Sequence, residues 1–295
     1  MTILNTDGAD IYYELHGDGP PLVFIHGASG THMSWWQQVA ELRYHYSCLI
    51  YDLRGFGRSR PKAPYDIGDG HILLRDLEHL VDHVGFAKKK INIMGASLGT
   101  APALYYAVKH REQIDKLVLV CGPGGVTTPR LMAGAEERKS RMQARRHELE
   151  ARFKSGESAI GMPDVPRIRS AGEMERFAVA YHPYGPVGEA MHLDFPALTF
   201  LYAEIMASSD GPPTAQTLPV FSACPITAES AKALDFPVLV GGGTEDTLCP
   251  PAELEDVASV FPKERCSLVK GAGHLVYYER PRRFNDMVLS FLREA

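Results

Sequence analysis

No apolar run in this chain reaches the roughly 18 residues that a membrane span requires. Residues Met1 to Glu14 also lack the basic-then-apolar pattern of a secretory leader. No membrane association is expected, and the cytoplasm is the expected compartment. Cysteine is scarce: Cys48, Cys121, Cys224, Cys249 and Cys266 are odd in number and scattered, with no CxxC pair or finger spacing. Neither a disulfide framework nor a structural zinc is indicated. Positive charge is not in excess either. The 31 Lys plus Arg stand against 36 Asp plus Glu, a formal charge of −5, whereas counterion release on nucleic acid needs a basic stripe. Nucleic acid is therefore not an expected partner. Internal repeats and low-complexity tracts are missing too.

What remains is the profile of a globular protein: 295 residues, 45% hydrophobic and 23% charged. A chain of this length can bury about 75% of the surface it exposes when unfolded. Its apolar pattern alternates. Leu22 to Ile25, Cys48 to Tyr51, Ile91 to Met94 and Leu117 to Val120 are runs too short for helices and bounded by Gly, Asp or Lys. Such runs suit parallel strands buried on both faces. Between them lie amphipathic stretches such as Ile67 to Val84, with Ile72, Leu73, Leu77, Leu80, Val81 and Val84 on one face. Ala9 to His16 reads as an antiparallel lead-in strand, followed by the turn Gly17-Asp18-Gly19-Pro20. This rhythm predicts an α/β fold, a mostly parallel sheet covered by helices.

The rhythm breaks between Gly124 and Leu234. Leu131 to Phe153 reads as a long charged helix, with further helical patches at Met174 to Tyr181 and Ala197 to Met206. Alternation resumes with Pro237 to Val240, a helix from Pro251 to Val260, Cys266 to Val269, and a final helix from Arg282 to Leu292. The expected organisation is a core of residues 1–123 and 235–295 interrupted by a helical insertion, residues 124–234.

The most informative stretch is Ile91-Asn92-Ile93-Met94-Gly95-Ala96-Ser97-Leu98-Gly99, a Gly-x-Ser-x-Gly pattern between an apolar strand and a helical segment. A nucleophile elbow needs that setting, because so sharp a strand-to-helix turn tolerates only small residues two before and two after the serine. Upstream, another strand ends in His26-Gly27-Ala28. The N–H of Ala28 can join that of Leu98 as an oxyanion hole. His26 is better read as holding that loop by hydrogen bonds than as a base. Downstream, Asp246 and His274 each follow a strand, so the order is Ser97, Asp246, His274. Glu245 is the competing acid, but the spacing Gly243, Asp246, Pro250 places Asp246 at the loop apex before a helix.

These stretches, together with Tyr51-Asp52-Leu53-Arg54-Gly55-Phe56-Gly57-Arg58-Ser59, resemble the α/β-hydrolase superfamily in its lidded branch of esterases, lactonases and meta-cleavage C–C hydrolases. The resemblance implies an α/β-hydrolase fold with an inserted helical cap and serine-based acyl transfer. His274 would take the Ser97 proton, Asp246 would orient His274, and the amides of Ala28 and Leu98 would hold the oxyanion. No cofactor and no metal are expected.

His79 and His83, four apart, lack a third metal ligand and read as a solvated helix face. The basic residues between Arg138 and Arg146 interleave with glutamates as an exposed, ion-paired helix. The aromatic residues of the insertion suggest an apolar roof or a small core of its own. With Trp36 and Val276 they nominate Trp36, Tyr181, Tyr184, Phe195 and Val276 as substrate-binding residues. The expected substrate is a small hydrophobic ester or lactone, and the expected assembly a monomer or homodimer. A C–C bond hydrolase and a non-catalytic ligand receptor on the same scaffold are the alternatives. Dehalogenase and epoxide-hydrolase chemistry would need an aspartate where Ser97 stands.

Overall fold

The computed structural model describes residues 2–28, 30–134, 137, 140, 144, 191, 195–207, 209, 211–212 and 214–294. Its strands are β1 (Thr2–Asn5), β2 (Ala9–His16), β3 (Pro21–Ile25), β4 (Ser47–Tyr51), β5 (Arg60–Pro61), β6 (Ile91–Ala96), β7 (Ile114–Val120), β8 (Val238–Gly243) and β9 (Glu264–Val269). They form one sheet in the order β1-β2-β4-β3-β6-β7-β8-β9, with β5 also on β2. The pairings of β2 with β1, β4 and β5 are antiparallel. Those from β4 through β3, β6, β7 and β8 to β9 are parallel.

Every apolar run expected as a strand is one. Several reach further than their apolar residues, because ladder pairing carries them on. In β6, Gly95 is opposite Ile25 and Leu119, and Ala96 is opposite Val120. Strand β1 is largely exposed and pairs only with β2, so it has no apolar run to announce it.

Alternate residues of each strand face opposite ways, and two cores result. Val23, Ile25, Ile93, Leu117 and Val238 pack with helices α2 (Gly70–His83), α3 (Thr100–Lys109) and α9 (Pro251–Ala258). Leu22, Phe24, Met94, Val118 and Leu239 pack on the other face with α1 (Trp36–Leu42), α10 (Val276–Glu279) and α11 (Pro281–Arg293). Helix α2 starts later than its hydrophobic period suggests, because the Asp69 side chain accepts from His71 N and caps it there.

Among the described residues between β7 and β8, none joins the sheet, and an isolated bridge ties Val126 to Ile226. The helices here are α4 (Pro129–Ala133), α5 (Pro196–Ala207), α6 (Thr214–Thr217), α7 (Val220–Ala223) and α8 (Ala228–Lys232). The expected long helix from Leu131 lies mostly outside the described residues, as does the patch Met174 to Tyr181. Helix α5 lies over the carboxyl side of the sheet. Tyr278 Oη donates to Leu198 O at 2.9 Å, and the Tyr202 and Tyr278 rings meet edge-on at 5.3 Å. Ser209 then accepts from Gly57 N at 3.2 Å, which lays this segment on the loop after β4. No described helix is long and apolar enough to cross a membrane.

Candidate active site

The carboxyl ends of parallel strands point their loops to one edge, where open α/β sheets hold ligands. Ser97 follows β6 at φ 49°, a left-handed conformation that is uncommon for a residue with a side chain. A one-turn 3-10 helix, Ser97–Gly99, leads from it directly into α3. The two glycines of the motif are there for space. A Cβ on Gly95 would stand 2.3 Å from Gly99 O, and one on Gly99 would stand 2.2 Å from Ile25 O. Strand, turn and helix can close on each other only without those side chains.

The loop after β3 lies against this turn. A Cβ on Gly27 would come within 3.1 Å of Ser97 Cβ. Ala28 follows it half-buried, and Leu98 is buried in the core below α3. His26 is fully buried and holds the loop, as its sequence position suggested. Its Nε2 accepts from Leu53 N at 3.0 Å, and its Nδ1 is 2.7 Å from Gly27 O. An accepting Nε2 leaves the proton on Nδ1, so the ring is neutral. Burial lowers its pKa, against the opposing pull of Asp52.

Asp52 braces the same loop from β4. Its Oδ1 accepts from His32 N at 2.6 Å and stands 2.8 Å from His32 Nδ1, and its Oδ2 accepts from Arg58 N. Burial alone would raise its carboxyl. The His32 hydrogen bond, the neighbouring imidazoles and the Arg58 amide together hold it below the ordinary carboxylate range.

The acid and the histidine meet across β8 and β9. Asp246 is buried, and its Oδ1 accepts from Leu248 N at 2.8 Å and Cys249 N at 2.9 Å. That leaves Oδ2 to stand 2.8 Å from His274 Nδ1. The competing acid, Glu245, is exposed. Two residues the motifs did not nominate complete the cluster. Glu279 is buried in α10, and its Oε2 and Oε1 accept from Gly273 N at 2.9 Å and Leu275 N at 3.2 Å, the amides on either side of His274. An acid five residues beyond the histidine was the only sequence signal. Cys121 follows β7 at φ 53°, fully buried beside Asp246 and His274. Burial, and then the Asp246 charge, push its thiol well above the usual range.

The nominated substrate-binding residues do not converge in the same way. Trp36 opens α1 with an exposed side chain, whereas its neighbour Trp35 packs in the core against Phe24 and Tyr277. Phe195 is exposed beside the guanidinium of Arg280, 6.0 Å from the ring centre. Val276 is fully buried in α10 among the residues of the second core. Tyr181 and Tyr184 lie outside the described residues. Of the insertion's other apolar residues, Met191, Tyr202 and Met206 are buried in that core. They pack with the sheet and its helices rather than in a small core of the insertion's own. His83 is exposed and bonded to Tyr13 Oη at 2.9 Å, and His79 is exposed.

Comparison with known proteins agrees with this architecture. A family model described as "Alpha/beta hydrolase family" matches residues 22–287. A proline iminopeptidase of Xylella fastidiosa is 25% identical over 96% of this chain and 92% of its own length. Among solved structures, a thermophilic esterase from Thermogutta terrifontis superposes with a TM-score of 0.71 at 24% identity, covering 97% of this chain and 93% of that one. A bromoperoxidase from Bacillus anthracis gives 0.72 at 22% identity, over 97% and 96%.

Proposed function

Since the chain belongs to the alpha/beta hydrolase family, whose hydrolytic role it carries, we propose that it cleaves small hydrophobic carboxylic esters or lactones through an acyl-enzyme on Ser97. The observation that carries this reading is the Asp246 Oδ2 to His274 Nδ1 contact of 2.8 Å at the same sheet edge as the Ser97 turn. In that arrangement His274 is the neutral Nδ1–H tautomer, and Nε2 is free to accept a proton. Nε2 takes the Ser97 proton as Oγ attacks the substrate carbonyl. The imidazolium so formed is stabilised by Asp246, whose other oxygen is already held by two amides.

The amides of Ala28 and Leu98 receive the negative charge on the carbonyl oxygen, and losing one such donor typically costs about 3–4 kcal/mol of barrier. The His26 and Asp52 bonds keep the loop that bears Ala28 in place. His274 then gives its proton to the leaving alcohol, draws another from water as the water attacks the acyl carbon, and passes it to Ser97 Oγ as the acid is released. Residues 124–234 are proposed as the cap, supported by α5 and Ser209 resting on the loops beside the site. The insertion presents Phe195, Phe200 and Leu201 at its surface, which favours an apolar substrate over a sugar.

The test is hydrolysis of p-nitrophenyl butyrate by the protein and by Ser97→Ala, following both burst and steady state. Sustained turnover that falls by at least about 10³-fold in the variant is expected. A burst without turnover would point away from an esterase, and equal rates in both proteins would remove Ser97 from the mechanism.

A further inference from the structure

Ser97 is one of two non-glycine residues with positive φ among the described residues, and Cys121 is the other. They immediately follow the adjacent strands β6 and β7. Strain of this kind persists where the surroundings over-determine it and gathers at functional positions. At Ser97 it leaves a half-buried hydroxyl at the carboxyl edge of the sheet. At Cys121 it sets a thiol beside the Asp246–His274 pair. The donor atoms of Cys121, Asp246 and His274 all lie within 4.8 Å of one another, and all three residues are buried.

From this geometry we infer that Cys121, Asp246 and His274 form a capture site for a soft divalent cation, Zn²⁺ or Cd²⁺, whose binding switches the site off. One sulfur, one nitrogen and one oxygen are the donor set that such ions prefer. A tetrahedral ion with bonds of about 2.0–2.3 Å holds its donors roughly 3.3–3.8 Å apart, so closure needs movements of only about 1 Å. Asp246 Oδ1 is held by two backbone amides, so Oδ2 can exchange its contact with His274 Nδ1 for the ion without loosening the loop. Charge also balances: a dication with one thiolate, one carboxylate and a neutral imidazole leaves no net charge to bury. Water would serve as the fourth ligand.

Binding replaces the proton between Asp246 and His274. The Cys121 thiol gives its proton to solvent, and the imidazole exchanges its Nδ1 proton for one on Nε2 as Nδ1 takes the ion. A ring protonated on Nε2 cannot accept from Ser97. Inhibition of that kind lowers kcat and leaves KM little changed. This last consequence rests on His274 being the base, whereas capture of the ion does not.

The experiment separates the two. Cd²⁺ is added to the protein, to Cys121→Ala, to Cys121→Ser and to Cys224→Ala, and the ultraviolet cadmium–thiolate band is recorded. Cys224 is the control because its sulfur lies 3.5 Å from His71 Nε2 at the surface, outside the cluster. A one-to-one band and a rise in Tm are expected in the parent and in Cys224→Ala. Both should be lost in Cys121→Ala and weakened at least tenfold in Cys121→Ser, whose hydroxyl is a poor ligand for a soft ion. In the ester assay, Zn²⁺ should inhibit the parent reversibly, with chelator restoring the rate, and should inhibit each Cys121 variant at least tenfold more weakly relative to its own activity. A band that survives in both Cys121 variants, or none in the parent, overturns the proposal. A Cys121-dependent band in a protein without esterase activity would leave capture standing and remove only the reading of His274 as base.

Discussion

At the scale of single residues, the site is held by carboxylates that react with nothing. Asp246 uses Oδ1, and Glu279 both of its oxygens, on backbone amides, and in Glu279 those amides flank His274 directly. A glutamine there offers one acceptor and an NH₂ group, so one of the two amides would face a donor instead of a partner. Glu279→Gln is therefore expected to lower kcat ten- to a hundredfold, about 1.4–2.8 kcal/mol, with KM little altered and the pH profile of kcat/KM displaced. An unchanged pH profile alongside lower stability would make Glu279 a packing residue only. Ser97, Asp246 and His274 were legible as candidates because each lies in the turn or loop after an apolar strand, in the right order. Glu279 was not, since its role depends on a four-residue helix folding back under the histidine. Trp36 shows the same limit: of two adjacent tryptophans, only the helix phase decided which was buried.

At the scale of elements, the helices bind to the sheet through polar as well as apolar contacts. Lys116 on β7 is buried, and its Nζ donates to Phe291 O at 3.2 Å, Leu292 O at 3.0 Å and Glu294 O, carbonyls at the end of α11. A cation there meets both the orphan carbonyls and the negative end of the helix dipole. Lys116→Met keeps the volume and removes the donor, so a loss of about 1–3 kcal/mol is expected. Denaturant unfolding would measure it, and amide exchange should quicken in the last turn of α11. Unchanged exchange there would mean that water caps the helix equally well. The amphipathic period predicted this helix, and its first residue moved only to Pro281, whose fixed φ suits a first helical position. That a lysine from the middle of a strand would cap it could not be read locally, because the partners lie far apart in sequence.

At the scale of the whole molecule, His26 and Asp52 couple stability to pH. His26 is neutral when folded, its pKa lowered by burial. As pH falls through about 6.5 the unfolded chain gains a proton there and the folded chain does not, so stability declines toward acid. Asp52, held low, acts in the same direction lower down. Its contribution is present above the ordinary carboxylate value near 3.8 and is lost as pH falls through its folded value. A Tm that is level above about pH 7 and falls steadily from pH 6.5 to 5 is expected. A Tm that rises over that interval would mean His26 is charged in the folded protein.

The sequence by itself determined the alternation of strand and helix, the Gly-x-Ser-x-Gly turn and the chain order Ser97, Asp246, His274. Each of these is written in short-range periodicity and turn chemistry, so neighbouring residues suffice to read it. Tertiary structure decided which acid meets the histidine, that Glu279 brackets it, and that Cys121 joins Asp246 and His274. Spacing rules look for metal ligands a few residues apart, whereas these three come from positions 121, 246 and 274. Parallel strands bring them together, because a parallel sheet gathers the ends of distant segments at one edge, one strand spacing from the next.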